Sequence, residues 1–117
     1  MSTIRDVVQM LGKREGVDAV IVLGRDGLTI DAHAGDGLDA DGLAALVPSV
    51  VAACNHLGAA AGRGGFGTGL VEYEEGMALV AELTSETLLA MFFKPGTNVG
   101  GHLYELRRHR RAIAALL

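Results

Sequence analysis

The order in which hydrophobic periodicities succeed one another constrains this chain more than any single residue does. A helical period comes first, then two short apolar segments joined by Arg25-Asp26-Gly27. An alanine-rich helical stretch fills roughly 39–63, three strand-like segments follow within 66–93, and a basic helical segment closes the chain. This order, α-β-β-α-β-β-β-α, predicts an α/β chain of the α+β kind, with all strands in one sheet and helices available to both of its faces. Almost nothing in the pattern carries chemistry. The chain reads as a surface for other proteins rather than as a catalyst, and no enzymatic activity is expected.

Each segment has a local reason. Ser2 or Thr3 can cap the first helix, with Asp6 placed as in a capping box, and Ile4, Val7, Val8 and Leu11 fall on one face. Ala19–Leu23 is continuously apolar, as suits a strand covered on both sides. Leu28, Ile30 and Ala32 alternate with Thr29, Asp31 and His33, as suits a strand with one wetter side, and Asp26-Gly27 supplies a tight hairpin. The segment 66–74 begins among glycines, which suits an edge position, whereas 77–83 and 88–93 are apolar on both faces and are expected in the sheet interior. Pro95-Gly96 ends the last strand, and Thr97 or Asn98 can cap the final helix. Leu103, Leu106, Ile113, Leu116 and Leu117 form that helix's apolar stripe, leaving Arg107, Arg108, Arg110 and Arg111 to a solvated face. We read 1–117 as a single domain, long enough to bury about two-thirds of its unfolded surface.

The long helix is the anomaly. Asp39 or Asp41 can cap it, and Leu43, Leu46, Val47, Val50, Val51, Cys54, Leu57 and Ala61 recur at spacings of three and four as a core stripe. The rest of its circumference holds Ala45, Ser49, Ala52, Ala53, Ala59 and Ala60, where a solvated helix would carry Lys and Glu. Between Asp41 and Arg63 no residue is charged unless His56 is protonated. A helix apolar all round is buried all round, and in a chain this small the second face is expected to meet another chain. Pro48 removes one backbone hydrogen bond and is expected to kink it. With Pro48, Asn55, His56 and glycines at 42, 58 and 62, the stretch makes a poor membrane span.

Charge and motif content exclude several classes. Residues 1–100 carry six Lys/Arg against thirteen Asp/Glu, while 101–117 carry four Arg against one Glu. No broad basic face is available for nucleic acid. The single cysteine, Cys54, excludes a disulfide framework and a cysteine-based metal site, and the absence of a leader-like segment makes the cytoplasm the expected compartment. Gly62-Arg63-Gly64-Gly65-Phe66-Gly67 fits G-x-G-x-x-G, but it follows a helix and enters a strand, the reverse of what phosphate binding at a helix N-terminus requires. It is read as a loop, and no cofactor is expected. Cys54 and His56 lie two apart on a helix and point apart, so they form no nucleophile–base pair. His102, Glu105 and His109 share a helix face but are read as exposed side chains, and Glu72, Glu74 and Glu75 as a solvated turn; no metal site is expected. The arginines at 107–111 suit anionic lipid, an acidic patch on a partner, or a solvated face balancing an acidic body.

The segment Val17-Asp18-Ala19-Val20-Ile21-Val22-Leu23-Gly24-Arg25-Asp26-Gly27-Leu28, the alanine-rich helix, the glycines before the third strand, and Leu88-Leu89-Ala90-Met91-Phe92-Phe93 before the last helix together resemble the roadblock / dynein light chain family. The likeness is greatest to its bacterial members that partner Ras-like gliding and polarity GTPases, and it spans about 3–117. The resemblance implies a five-stranded antiparallel sheet of profilin-like shape, with one helix on one face and two on the other. It implies a homodimer or heterodimer in which the third strands pair edge to edge and the second helices pack together, and a homodimer is expected here. On that footing Ala45, Ser49, Ala52, Ala53, His56 and Ala60, with Phe66, Thr68 and Leu70 on the strand, are the expected dimer residues. The resemblance further implies a small GTPase docked across the dimer, its hydrolysis stimulated through its own residues rather than by an inserted arginine. Asp39, Asp41 and Pro48 are the expected contacts to it. The alternatives are a small-ligand sensor of similar shape and a motor or cytoskeletal adaptor that binds no GTPase.

Overall fold

The element order read from the sequence is the order in the computed structural model, which describes residues 2–117. The elements are α1 (Ile4–Gly12), β1 (Val17–Gly24), β2 (Thr29–Ala34), α2 (Ala40–Ala60), β3 (Thr68–Tyr73), β4 (Gly76–Glu82), β5 (Thr87–Phe93) and α3 (Gly100–Ala114). The strands form one antiparallel sheet in the order β2-β1-β5-β4-β3. The continuously apolar runs occupy its interior, because only there does a strand have both faces covered. Residues 19–23 of β1 and 88–91 of β5 are all buried.

Two cores flank the sheet. On one face Val7 and Val8 of α1 and Leu106 and Ile113 of α3 pack onto Val20, Val22, Leu79, Leu89 and Met91. On the other, Ala44, Val47 and Val51 of α2 pack onto Ile21, Leu23, Val80, Leu88 and Ala90. The alternation of side chains along each strand sorts these residues into the two sets. One helix therefore lies on one face and two on the other.

Local chemistry fixes the ends. Thr3 caps α1, and the reciprocal bonds of a capping box run from Asp6 N–H to Thr3 Oγ1 (3.2 Å) and from Thr3 N–H to Asp6 Oδ2 (3.0 Å). The β1–β2 hairpin turns at Gly27, whose φ of +86° disfavours a side chain, and Asp26 Oδ1 accepts from Leu28 N–H at 3.1 Å. At the C-terminus of α2, Arg63 N–H reaches Gly58 C=O (2.7 Å) and Gly62 N–H reaches Ala59 C=O (3.1 Å). With Gly62 at φ +68° this is a Schellman motif, so the glycine run begins as a helix stop.

Three expectations are corrected. In α2 the residues facing the sheet are Ala44, Val47 and Val51, while Leu46, Val50 and Leu57 point outward at 67%, 40% and 71% exposure. Both stripes are apolar at helical spacing, so periodicity alone could not choose between them. The wetter side of β2 is also reversed at its start, although Ala32 further along still packs on the α2 core. Thr29 Oγ1 and Asp31 Oδ2 are buried, whereas Leu28 and Ile30 are exposed. The cause is α1, which packs so closely on the Thr29–Asp31–His33 face that a Cβ at Gly12 would overlap the His33 ring. Finally, α3 starts from Val99, which offers no side-chain cap; Asn98 Oδ1 accepts from Gly100 N–H at 3.1 Å instead. The long helix runs unbroken through Pro48 and ends at Ala60, with 61–63 in its cap.

Candidate interaction surface

The outward side of α2 is the most unusual surface of the molecule. Ala45, Ser49, Ala52, Ala53, His56 and Ala60 are all exposed on it. At 100° per residue, Leu46, Val50 and Leu57 form a ridge along one flank of that alanine field. The result is an apolar surface several turns long with no charged side chain between Asp41 and Arg63. Contiguous apolar surface of this kind is the form that interaction sites commonly take.

A polar junction sets the rotation of α2 about its axis and so decides which stripe faces out. Asn55, half-buried on the sheet side, donates from Nδ2 to Glu82 Oε1 (3.0 Å) and accepts at Oδ1 from Phe66 N–H (2.9 Å). Arg25, in the β1–β2 turn, donates to the same Glu82 oxygen at 2.9 Å and to Ser85 C=O at 2.8 Å. From the opposite face of the sheet, Arg110 of α3 donates to Glu82 C=O (2.9 Å), Gly67 C=O (2.6 Å) and Thr68 Oγ1 (3.3 Å). The expectation of a solvated Arg110 is therefore corrected: it pins the glycine loop to the end of β4.

Electrostatics follow this geometry. The hydrogen bond from Asn55 holds the Glu82 carboxyl below its usual range; burial opposes that, and Arg25 and Arg110 add to the lowering. Burial pulls the Arg110 guanidinium downward, and Glu82 pulls it back. Rotating α2 to bury Leu46, Val50 and Leu57 would carry Asn55 away from Glu82 and leave a half-buried carboxylate and the Phe66 N–H without it. Sequence reasoning missed this junction. The available signal was a lone Asn inside an otherwise apolar helix, which earns its place only through a specific partner.

The strand residues fall elsewhere. β3 pairs with β4 on one side only, leaving its other edge open among the described residues. The register pairs Leu70 with Leu79, which belongs to the α1/α3 core, so Leu70 and Thr68 face away from α2. Gly69, Val71 and Tyr73 occupy the α2 side, and Tyr73 is 60% exposed. Phe66 is half-buried against the α2 core. The six helix residues are thus brought together, whereas Thr68 and Leu70 adjoin them only through the edge backbone of β3.

Of the three expected partner contacts, Asp39 is the N-cap of α2 and accepts from Gly42 N–H at 3.1 Å, Asp41 is exposed in the first turn, and Pro48 is half-buried. Cys54 is a half-buried free thiol. Glu105 lies 3.3 Å from His109 and 3.7 Å from Arg14. Among the described residues no three His, Cys, Asp or Glu side chains converge as metal ligands do.

Comparison with known proteins gives one family and several solved structures of the same fold. The sequence pattern of the family described as Roadblock/LC7 domain matches residues 3–93. A Roadblock/LC7 domain structure from Streptomyces avermitilis is 22% identical, covers 97% of each chain and superposes with a TM-score of 0.85. Myxococcus xanthus MglB is 20% identical, with 97% of this chain and 93% of that one covered and a TM-score of 0.86. An MglB structure with a tetrameric arrangement is 21% identical, with 97% and 86% covered and a TM-score of 0.84. At these identities the structures establish the fold alone. No curated protein matches the chain in sequence.

Proposed function

Because the chain belongs to the Roadblock/LC7 domain family, we propose that it is a non-enzymatic, cytoplasmic docking module that pairs with a second copy and binds a Ras-like small GTPase. The observation that carries this reading is the uncharged outer face of α2 beside the open edge of β3. Covering Leu46 and Leu57 contributes about 2 kcal/mol each and Val50 about 1 kcal/mol, scaled by their exposure, hence about 10 kcal/mol for two copies. Association costs on the order of 4–15 kcal/mol, so this face can support a dimer once edge hydrogen bonds are added. The alanines let two helices approach at the short end of the usual spacing of about 8–10 Å. The likeness to MglB, including a tetrameric MglB arrangement, supports self-association as the mode of use.

A pair built this way presents two α2 helices as a continuous ridge, with Asp39 and Asp41 at the helix starts and Pro48 a little further along. A GTPase seated on that ridge would bring its own catalytic residues, and this chain would act by holding them in place. The test is single-turnover GTP hydrolysis and binding by a Ras-like GTPase from the same cell. The proposal expects the Asp41→Lys variant to weaken binding several-fold while the dimer mass stays unchanged. A GTPase that neither binds nor changes its hydrolysis rate in the presence of the dimer removes the GTPase from the reading and leaves an adaptor.

A further inference from the structure

The sheet face opposite α2 carries a cleft that the pairing surface does not use. It lies between α1 and α3, has a volume of about 280 Å³, and is floored by Met91 of β5. Val7, Met10 and Leu11 form one wall, and Leu106, Ile113 and Leu116 the other. The two helices run in opposite directions across it, since Arg14, just after α1, meets Glu105 near the start of α3. Most polar groups gather toward that end, where Arg14, His102, Glu105 and His109 line it, while Ser2 lines the other. An apolar body with convergent polar groups at one end is the usual form of a small-molecule site.

The end groups specify a head. Arg14 stands 3.7 Å from Glu105, beyond hydrogen-bond length, so its fork of donors is open to a second acceptor. Glu105 is drawn toward His109 at 3.3 Å. The His102 ring rests against Phe93 with centroids 4.9 Å apart, and its buried Nδ1 has no partner. A buried ring nitrogen left unpaired costs free energy that a ligand group can recover. With Glu105 turned to His109, the Arg14 guanidinium and the unpaired imidazole nitrogen at this end of the apolar trough are left to complement a ligand carboxylate.

We propose that this cleft binds a small amphiphilic monocarboxylate, its apolar body lying between α1 and α3 and its carboxylate held by Arg14 and His102. A cavity of about 150 Å³ holds a benzene ring, so this cleft takes an apolar body of roughly ten carbons. The site is independent of the pairing role, because it lies on the other face of the sheet.

Titration with decanoate, decanol and decylamine below their aggregation concentrations, followed by calorimetry and side-chain NMR, tests the assignment. Decanoate saturates at one per chain, at least tenfold tighter than decanol, with shifts in the His102 and His109 ring signals. Arg14→Gln brings decanoate to the affinity of decanol, and Ala112→Trp, at an exposed wall position, abolishes both. Equal affinity for the three probes overturns the head-group assignment. Unsaturable binding, or shifts confined to α2, shows adsorption to the exposed apolar face and overturns the site.

Discussion

Replacing Asn55 by alanine removes both bonds that fix the rotation of α2 on the sheet. One is the 3.0 Å donation to the Glu82 carboxylate, a charge-assisted bond worth about 1.5–3 kcal/mol; the other is the 2.9 Å bond from Phe66 N–H, worth about 1 kcal/mol. Glu82 keeps Arg25 at 2.9 Å, and the half-buried Phe66 N–H regains some water, so the net loss is placed at about 2–3 kcal/mol. For a chain of this length that lowers the melting temperature by roughly 8–12 °C. The assay is urea unfolding at fixed protein concentration, paired with NMR titration of the Glu82 carboxyl, which shifts upward because its largest lowering influence is gone. Asn55→Asp is the control. It keeps the acceptor for Phe66 but sets a second carboxylate beside Glu82, so its penalty is largest at neutral pH and shrinks on acidification. A loss under about 0.5 kcal/mol for Asn55→Ala, the level of an ordinary surface change, refutes the junction as the device that orients α2.

Two further outcomes follow from the same structure. Glu82 is held below its ordinary value of 4.5, so the unfolded chain takes up this proton first as pH falls. Its stabilisation is complete above that value and is lost on acidification through the depressed folded one; Glu82→Gln flattens this part of the stability–pH curve. Gly62→Ala meets no atom within 4 Å and costs only the strain of φ +68°, about 1–2 kcal/mol. Gly76→Ala, at φ +140°, adds a Cβ that overlaps the Phe93 carbonyl and costs clearly more; equal losses in thermal melts would contradict the two environments assigned to these glycines.

How much of this was legible in the residues divides along physical lines. Element order, the interior position of β1, β4 and β5 and the edge position of β3 follow from runs that are apolar on both faces or on one, because burial acts directly on side-chain type. The capping box at Thr3 and Asp6 and the turn at Gly27 follow from local chemistry. The rotation of α2 was not legible: Leu46, Val50 and Leu57 fit a core stripe as well as Ala44, Val47 and Val51 do. The choice rests on Asn55 meeting Glu82 across 27 positions and Arg25 meeting Glu82 across 57, contacts that only the folded topology creates. The shielding of the Thr29 hydroxyl and one Asp31 oxygen likewise needed knowledge of where α1 lands. The expected helix residues of the surface emerge grouped and exposed, joined by a leucine ridge first assigned to the core. Thr68 and Leu70 lie on the other side of the sheet for a reason of register.

The outer face of α2 as a self-association surface is tested most directly by light scattering of the purified chain at micromolar concentration, beside the Ala52→Glu variant. The account predicts twice the chain mass of 12.1 kDa for the unaltered protein. It predicts the single-chain mass for the variant, in which opposed carboxylates meet at the helix contact. A single-chain mass for both, or an unchanged doubled mass for the variant, contradicts it.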